Sequence, residues 1–193
     1  MSEKSINKRN FILERAREVF ASRGYARTTM KDIVDACDIS RGGVYLYFNN
    51  VKDLFEEVMA YELENEGDFG DRIPEEASFA DVLALFVKEQ KKSILAKKGN
   101  LTAAMYEYYF ENRITGKNNA LKRDFDMSVY VLEQLIREGI DAGEFYDIDA
   151  HRAASNLMYV IEGLKAASRT RGVSEAAVDE EIMYVMQGII AEE

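Results

Sequence analysis

Residues 30–48 read MKDIVDACDISRGGVYLYF, and their spacing decides the fold class. Met30, Ile33, Val34 and Cys37 recur at i, i+3, i+4 and i+7, one apolar face of a helix. Asp38-Ile39-Ser40 is a tight break. Ser40 has N-cap chemistry for a second short helix from residue 41 to about residue 48. Ile39 and Val44 take the two positions of a hydrophobic staple around that cap. Two short helices and a tight turn make a helix-turn-helix pattern, a spacing many small α-domains share. The second helix sharpens it. At about 100° per residue, Val44 and Phe48 form a core-facing edge flanked by Tyr45 and Tyr47, while Gly42, Gly43 and Leu46 point outward. Two glycines near a helix start cost about 1 kcal/mol each relative to alanine, and an outward leucine gains nothing in water. Both make sense in a DNA major groove. There glycine lets the backbone approach base edges, leucine touches thymine methyls, and Arg41 and the tyrosine hydroxyls reach guanine edges or phosphates. A helix packed against another protein helix is the competing account of the glycines.

Working outward, the helical period continues on both sides. Ile12, Ala16, Val19 and Phe20 form a stripe that ends before Gly24. Asn50 and Asp53 have the chemistry of a capping box, and Leu54, Phe55, Val58 and Met59 supply the stripe of a fourth helix. The stretch 67–76, holding the sole proline Pro74, is the clearest breaker. Beyond it the pattern predicts helices at about 79–97, 101–112, 119–142, 149–170 and 174–191, with Gly99, Gly116, Gly143 and Gly172 at the joints. No useful strand-period alternation occurs. The expected architecture is all-α, with about nine helices. A three-helix helix-turn-helix DNA-binding domain is expected over 5–66, its helix-turn-helix at about 30–48. A larger helical domain is expected over 67–193.

Composition narrows the function classes. The chain has 193 residues and a net charge of −10, with one cysteine and one histidine. A lone Cys37 excludes an internal disulfide and multi-cysteine zinc, and a lone His151 excludes a two-histidine metal site. No apolar run reaches membrane-spanning length and no secretory signal is visible, so no membrane partner and a cytoplasmic location are expected. The charge is unevenly spread. Residues 1–53 hold ten Lys and Arg against seven Asp and Glu, whereas residues 54–193 hold fifteen against twenty-eight. One end is therefore suited to a polyanion and the other is not.

Residues 11–59 resemble the DNA-binding domain of TetR-type transcriptional regulators. The likeness rests on Ile12, Ala16 and Phe20, on Gly24-Tyr25 and Thr28-Thr29, and on Ile33, Ser40, Gly42, Tyr45, Tyr47-Phe48 and Leu54. The resemblance implies that Thr29 caps the second helix and that Thr28 or Thr29 offers a hydroxyl to phosphate. It places Arg41, Gly42, Gly43 and Tyr45 on a recognition helix, the helix that Ser40 caps and from which Leu46 points outward, and gives Tyr47 a phosphate. Lys8 and Arg9 would reach a flanking backbone or minor groove. Three positions depart from the family pattern. Asp38 replaces a turn glycine, Val34 a small alanine, and Val51 a phosphate-contacting lysine, for which Lys52 is the candidate substitute.

The resemblance also assigns the second domain an inducer pocket. Phe86, Met105, Tyr106, Tyr109, Phe110, Met127, Tyr130, Met158 and Tyr159 are its candidate lining, with the tyrosine-rich run 105–110 favoured. The last two helices would form a homodimer's four-helix bundle. Its stripes would be Ala153, Ala154, Leu157, Met158, Ile161 and Leu164, then Val178, Ile182, Val185, Met186, Ile189 and Ile190. The expected function is a dimeric, ligand-responsive repressor of a palindromic double-stranded DNA operator, not an enzyme and without cofactor or metal. The alternative is an all-α small-molecule-binding protein or enzyme whose N-terminal domain is only structural. No metal-ligand spacing, phosphate loop or paired nucleophile and base supports that alternative.

Overall fold

Short polar side chains set where the helices begin. The Thr29 hydroxyl accepts the Asp32 N–H, and the Thr29 N–H donates to the Asp32 carboxylate, closing a capping box. Ser78 and Asp81 repeat it. Asn50, Asn119, Asp149 and Ser174 each accept the N–H three residues on. The computed structural model describes residues 3–65, 69–96, 99–114 and 119–191. Among them it has α1 (Glu3–Arg23), α2 (Met30–Cys37), α3 (Arg41–Tyr45), α4 (Val51–Asn65) and α5 (Phe79–Leu95). These are followed by α6 (Thr102–Asn112), α7 (Ala120–Asp141), α8 (Ala150–Thr170) and α9 (Glu175–Gln187). The 66/67 boundary, the joints at Gly67 and Gly116, and the end of the fifth helix at Lys97 lie outside the described residues.

Two elements differ from their predicted lengths. α3 stops at Tyr45 instead of about residue 48, and its last backbone bonds tighten into a turn, with Tyr47 N–H donating to Val44 O. α9 stops at Gln187 instead of 191. Beyond Gly188 the chain straightens and pairs with the loop after α7. Tyr146 N–H donates to Ile189 O, and Ala191 N–H to Glu144 O.

The chain forms two compact units. The first comprises Met1–Asp68 with Lys97–Arg113, the second Phe69–Ala96 with Ile114–Glu193. The segment holding α6, which the sequence reading gives to the second domain, therefore packs in the first unit. The reason is aromatic. Tyr108 of α6 is buried edge-on against Tyr25, with ring centroids 5.1 Å apart, and tilted against Phe55 at 5.3 Å. Phe20 meets Phe55 at 4.7 Å. Around this cluster Ile12, Leu13, Ala16, Ile33, Val44, Leu54 and Val58 complete the core of the first unit.

In the second unit α5, α7, α8 and α9 enclose Leu83, Leu132, Ile136, Phe145, Leu157 and Ile161, and a smaller cluster of Ile94, Leu164, Val178 and Ile182. This corrects the predicted dimer stripes. Ala154, Leu157, Met158, Ile161, Leu164, Val178, Ile182 and Ile189 are buried within their own chain, because α8 and α9 each turn their widest apolar face inward. The sides left exposed carry Tyr159 on α8 and Met183 and Tyr184 on α9.

Phe145 lies across α7 at Gly139, where an added Cβ would come within 2.3 Å of the ring. Gly139→Ala is expected to destabilise the protein by about 1–3 kcal/mol by overpacking. Urea denaturation checks this, and an unchanged midpoint would mean the ring moves aside freely.

Candidate nucleic-acid interface

The α2–α3 turn survives without glycine. Asp38 sits at φ 50°, ψ 40°, left-handed backbone that Asp tolerates better than most residues. At the other end of α2, Asp32 is held to about pH 2 by its bonds to the Thr29 hydroxyl and N–H, with Arg23 adding a cation beside it. Cys37 lies buried, and desolvation pushes its thiol pKa up, which suits a packing role and not a reactive one.

On α3, Val44 is fully buried, and Phe48 is buried just beyond it. The opposite side is open. Nothing lies within 4 Å of an added Cβ at Gly42, and Leu46 is 78 % exposed. Gly43 is less free than its spacing suggested: its Cβ would meet Ser40 Oγ at 3.3 Å and Lys8 Nζ at 3.5 Å. Ser40 accepts the Gly43 N–H at 3.2 Å as the cap. Arg41 lies over the Tyr45 ring, 5.1 Å from its centroid, with a guanidinium nitrogen 3.4 Å from the hydroxyl. These two residues, Met30, Lys31 and Val34 border a cleft of about 160 Å³. The Tyr47 hydroxyl is 3.3 Å from Ser5 Oγ of α1.

The flanking candidates divide. Lys8 is exposed beside the start of α3 and has no ion pair among the described residues. Arg9 is committed elsewhere, paired with Glu57 and placed over the Phe48 ring at 5.6 Å. Thr28 is 6 % exposed and its hydroxyl donates to Gly24 O at 2.6 Å, so burial withdraws it from any phosphate. Thr29 is exposed, but its hydroxyl serves the capping box. Lys52, half exposed on the first turn of α4, has Glu56 at 4.0 Å as its nearest partner.

The second unit holds a cavity of about 410 Å³. α5 contributes Val82 and Phe86. α7 contributes Met127, Ser128, Val131, Leu132, Gln134, Leu135 and Glu138, and Phe69 and Ile73 close it. Of the predicted lining only Phe86 and Met127 are there. Met158 is core, and Tyr130 and Tyr159 are exposed, with Tyr159 against Phe125 at 4.9 Å. Met105, Tyr106, Tyr109 and Phe110 are on α6, in the first unit. Among the lining residues missed, those of α7 at 131, 134, 135 and 138 were legible as a stripe continuing from Met127. Phe69 and Ile73 carried no signal, lying in the breaker.

Residues 12–58 match the model of bacterial regulatory proteins of the tetR family, and residues 82–179, half the chain, match the tetracyclin repressor-like C-terminal domain. The chain belongs to the TetR family. A curated relative, the uncharacterized HTH-type transcriptional regulator YfiR of Bacillus subtilis, is 30% identical over 138 residues, 71% of this chain and 67% of that protein. The probable acrEF/envCD operon repressor of Escherichia coli (strain K12) is 37% identical over 54 residues, 28% of this chain and 24% of that protein. A putative transcriptional regulator from Saccharomonospora viridis, solved in complex with choline, shares the fold. Its TM-score is 0.77 at 24% identity, over 95% of this chain and 98% of that one.

As a TetR-family protein, the chain is a DNA-binding transcriptional regulator, and no helix of its described residues is long and apolar enough to cross a membrane. Its open glycine separates a folding role from a binding one. Gly42→Ala has room for its methyl group, so stability is expected to hold or rise by up to about 1 kcal/mol while DNA affinity falls. Thermal melts and gel shifts read the two effects. A destabilised variant would tie the glycine to the fold.

Proposed function

We propose that the protein is a cytoplasmic, homodimeric, ligand-responsive repressor that binds a near-palindromic operator through α2 and α3. The carrying observation is the open face of α3, where Gly42 has no neighbour and Leu46 is 78 % exposed while Val44 is fully buried. In the major groove Gly42 and Gly43 allow close approach, Leu46 meets thymine methyls, and Arg41, aligned by Tyr45, reads a base edge. Lys8, Tyr47 and Lys52 take phosphates, with Thr29, Ser40 and the α2 start shaping the backbone around them. The ligand enters the cavity between α5 and α7. In sequence, α6 is the insert that joins those two helices, and it is built into the first unit. Ligand binding shifts the population between DNA-competent and incompetent forms. The choline-bound relative supports small-molecule occupancy of this fold, and the Escherichia coli relative supports repression.

Selection from random DNA is expected to return a two-fold symmetric site with half-sites one or more helical turns apart, each about 34–36 Å. An asymmetric site would overturn the reading. Lys52→Ala is expected to weaken operator and random DNA alike and to lower the salt slope by about 0.9. An effect on operator DNA alone would remove Lys52 from the phosphate backbone.

The dimer is proposed on the exposed sides of α8 and α9, where Tyr159 is 67 % and Tyr184 78 % exposed. Tyr184→Asp is expected to keep its helical circular dichroism and melting point, yet sediment as a monomer and lose the operator. Leu157→Asp is expected instead to unfold the chain, since Leu157 is buried in its own core. A Tyr184→Asp protein that still sediments as a dimer would place the interface elsewhere.

A further inference from the structure

We propose that the α5–α7 cavity takes an elongated apolar molecule carrying a single positive charge, with the charge seated at Glu138. This rests on the reading of that cavity as the ligand site and adds the chemistry of its occupant. The walls are apolar. Phe69 and Phe86 meet edge-to-face at 6.2 Å, and Val131 and Leu135 continue the surface along α7. The row from Met127 to Glu138 spans eleven residue steps, about 16 Å of helix, so the site is long as well as greasy.

Among the described residues Glu138 is the only charged one in the lining. Its carboxylate has no ion-pair or hydrogen-bond partner among the described residues. Several other acids of this unit do have one. Glu133 pairs with Arg137 and His151, Glu89 with Arg72 and Lys92, and Asp126 with Lys122. The Glu144 carboxylate accepts the Ala80 N–H at 2.9 Å. One uncompensated negative charge beside an apolar wall attracts a cation and repels an anion. The electron-rich faces of Phe69 and Phe86 favour the same sign. So does the wider field, because residues 54–193 hold fifteen Lys and Arg against twenty-eight Asp and Glu. Ser128 and Gln134, also lining the cavity, are neutral and add no competing charge.

Three probes with one apolar body test this by calorimetric titration of the full-length protein: 4-phenylbutylamine, 4-phenylbutan-1-ol and 4-phenylbutyrate. The amine is expected to bind about five-fold or more tightly than the alcohol, and the carboxylate most weakly. Glu138→Gln is expected to erase the amine's advantage and leave the alcohol unchanged. Val82→Trp, which fills the cavity, is expected to weaken all three. An amine no better than the alcohol, or an advantage that survives Glu138→Gln, overturns the charge preference. If that happens while Val82→Trp still blocks every probe, the cavity remains a binding site and only the proposed chemistry fails. If no probe binds, or Val82→Trp changes nothing, the ligand-site reading fails with it.

Discussion

The contact between Tyr108 and the aromatic trio Phe20, Tyr25 and Phe55 organises the first unit. Phe20 comes from α1, Tyr25 from the turn after it, Phe55 from α4 and Tyr108 from α6, with neighbouring ring centroids about 5 Å apart. Burying four rings orders three helices at once. Polar bonds then fix the register. The Tyr108 hydroxyl donates to Glu56, and burial together with that carboxylate pushes the phenol well above the usual tyrosine range. One residue earlier, Glu107 accepts the Ala26 N–H at 3.0 Å and fills the space beside Gly24, whose φ of +82° lets the chain turn there. α2 begins at Met30, five residues after Tyr25, so the frame sets where that helix starts.

The frame also gives the tyrosine-rich run of α6 a structural use. Met105-Tyr106-Glu107-Tyr108-Tyr109-Phe110 has the mixture of flexible, aromatic and polar side chains that a ligand pocket uses, and a buried helical joint uses the same mixture. Composition alone does not separate them. What separates them is the return of α6 to α1 and α4, a contact between residues more than fifty positions apart, such as Glu56 and Tyr108. Local periodicity carries no information at that range. The same limit applies to α8 and α9. Their stripes were read correctly as apolar faces, and the structure turns those faces into the chain's own core.

Local chemistry, by contrast, was well legible. The caps at Ser40 and Asn50, the bounds of α2, and the joints of α7 and α8 all follow from short polar residues beside apolar stripes. So did the fold class. Asp38 was readable as standing at a turn-glycine position, and its left-handed backbone agrees with that. The end of α9 was not readable. Ile189 and Ile190 continue a helical stripe in sequence and their N–H groups still donate to Met186 O, but the Ile189 carbonyl accepts the Tyr146 N–H of the loop after α7 in place of a helical partner.

The charge asymmetry needs the structure to be read properly. Ten cations in residues 1–53 suggested a broad positive end. Folding spends several of them internally. Arg9 and Arg17 pair with Glu57 and Glu62 of α4, Arg23 with Asp32, and Arg15 with Glu18. The first three brace α1 against α4 and α2, the last lies within α1, and a guanidinium already facing a carboxylate offers little to a phosphate. Arg27 reaches back to the Arg23 carbonyl. Among the described residues, Lys4, Lys8, Lys31 and Arg41 are left without a carboxylate, and they belong to the first half of α1 and to α2 and α3. The positive end is thus narrower than its count implies and is concentrated at the start of α1 and on α2 and α3. A chain of net charge −10 thereby keeps its unpaired cations together at one end.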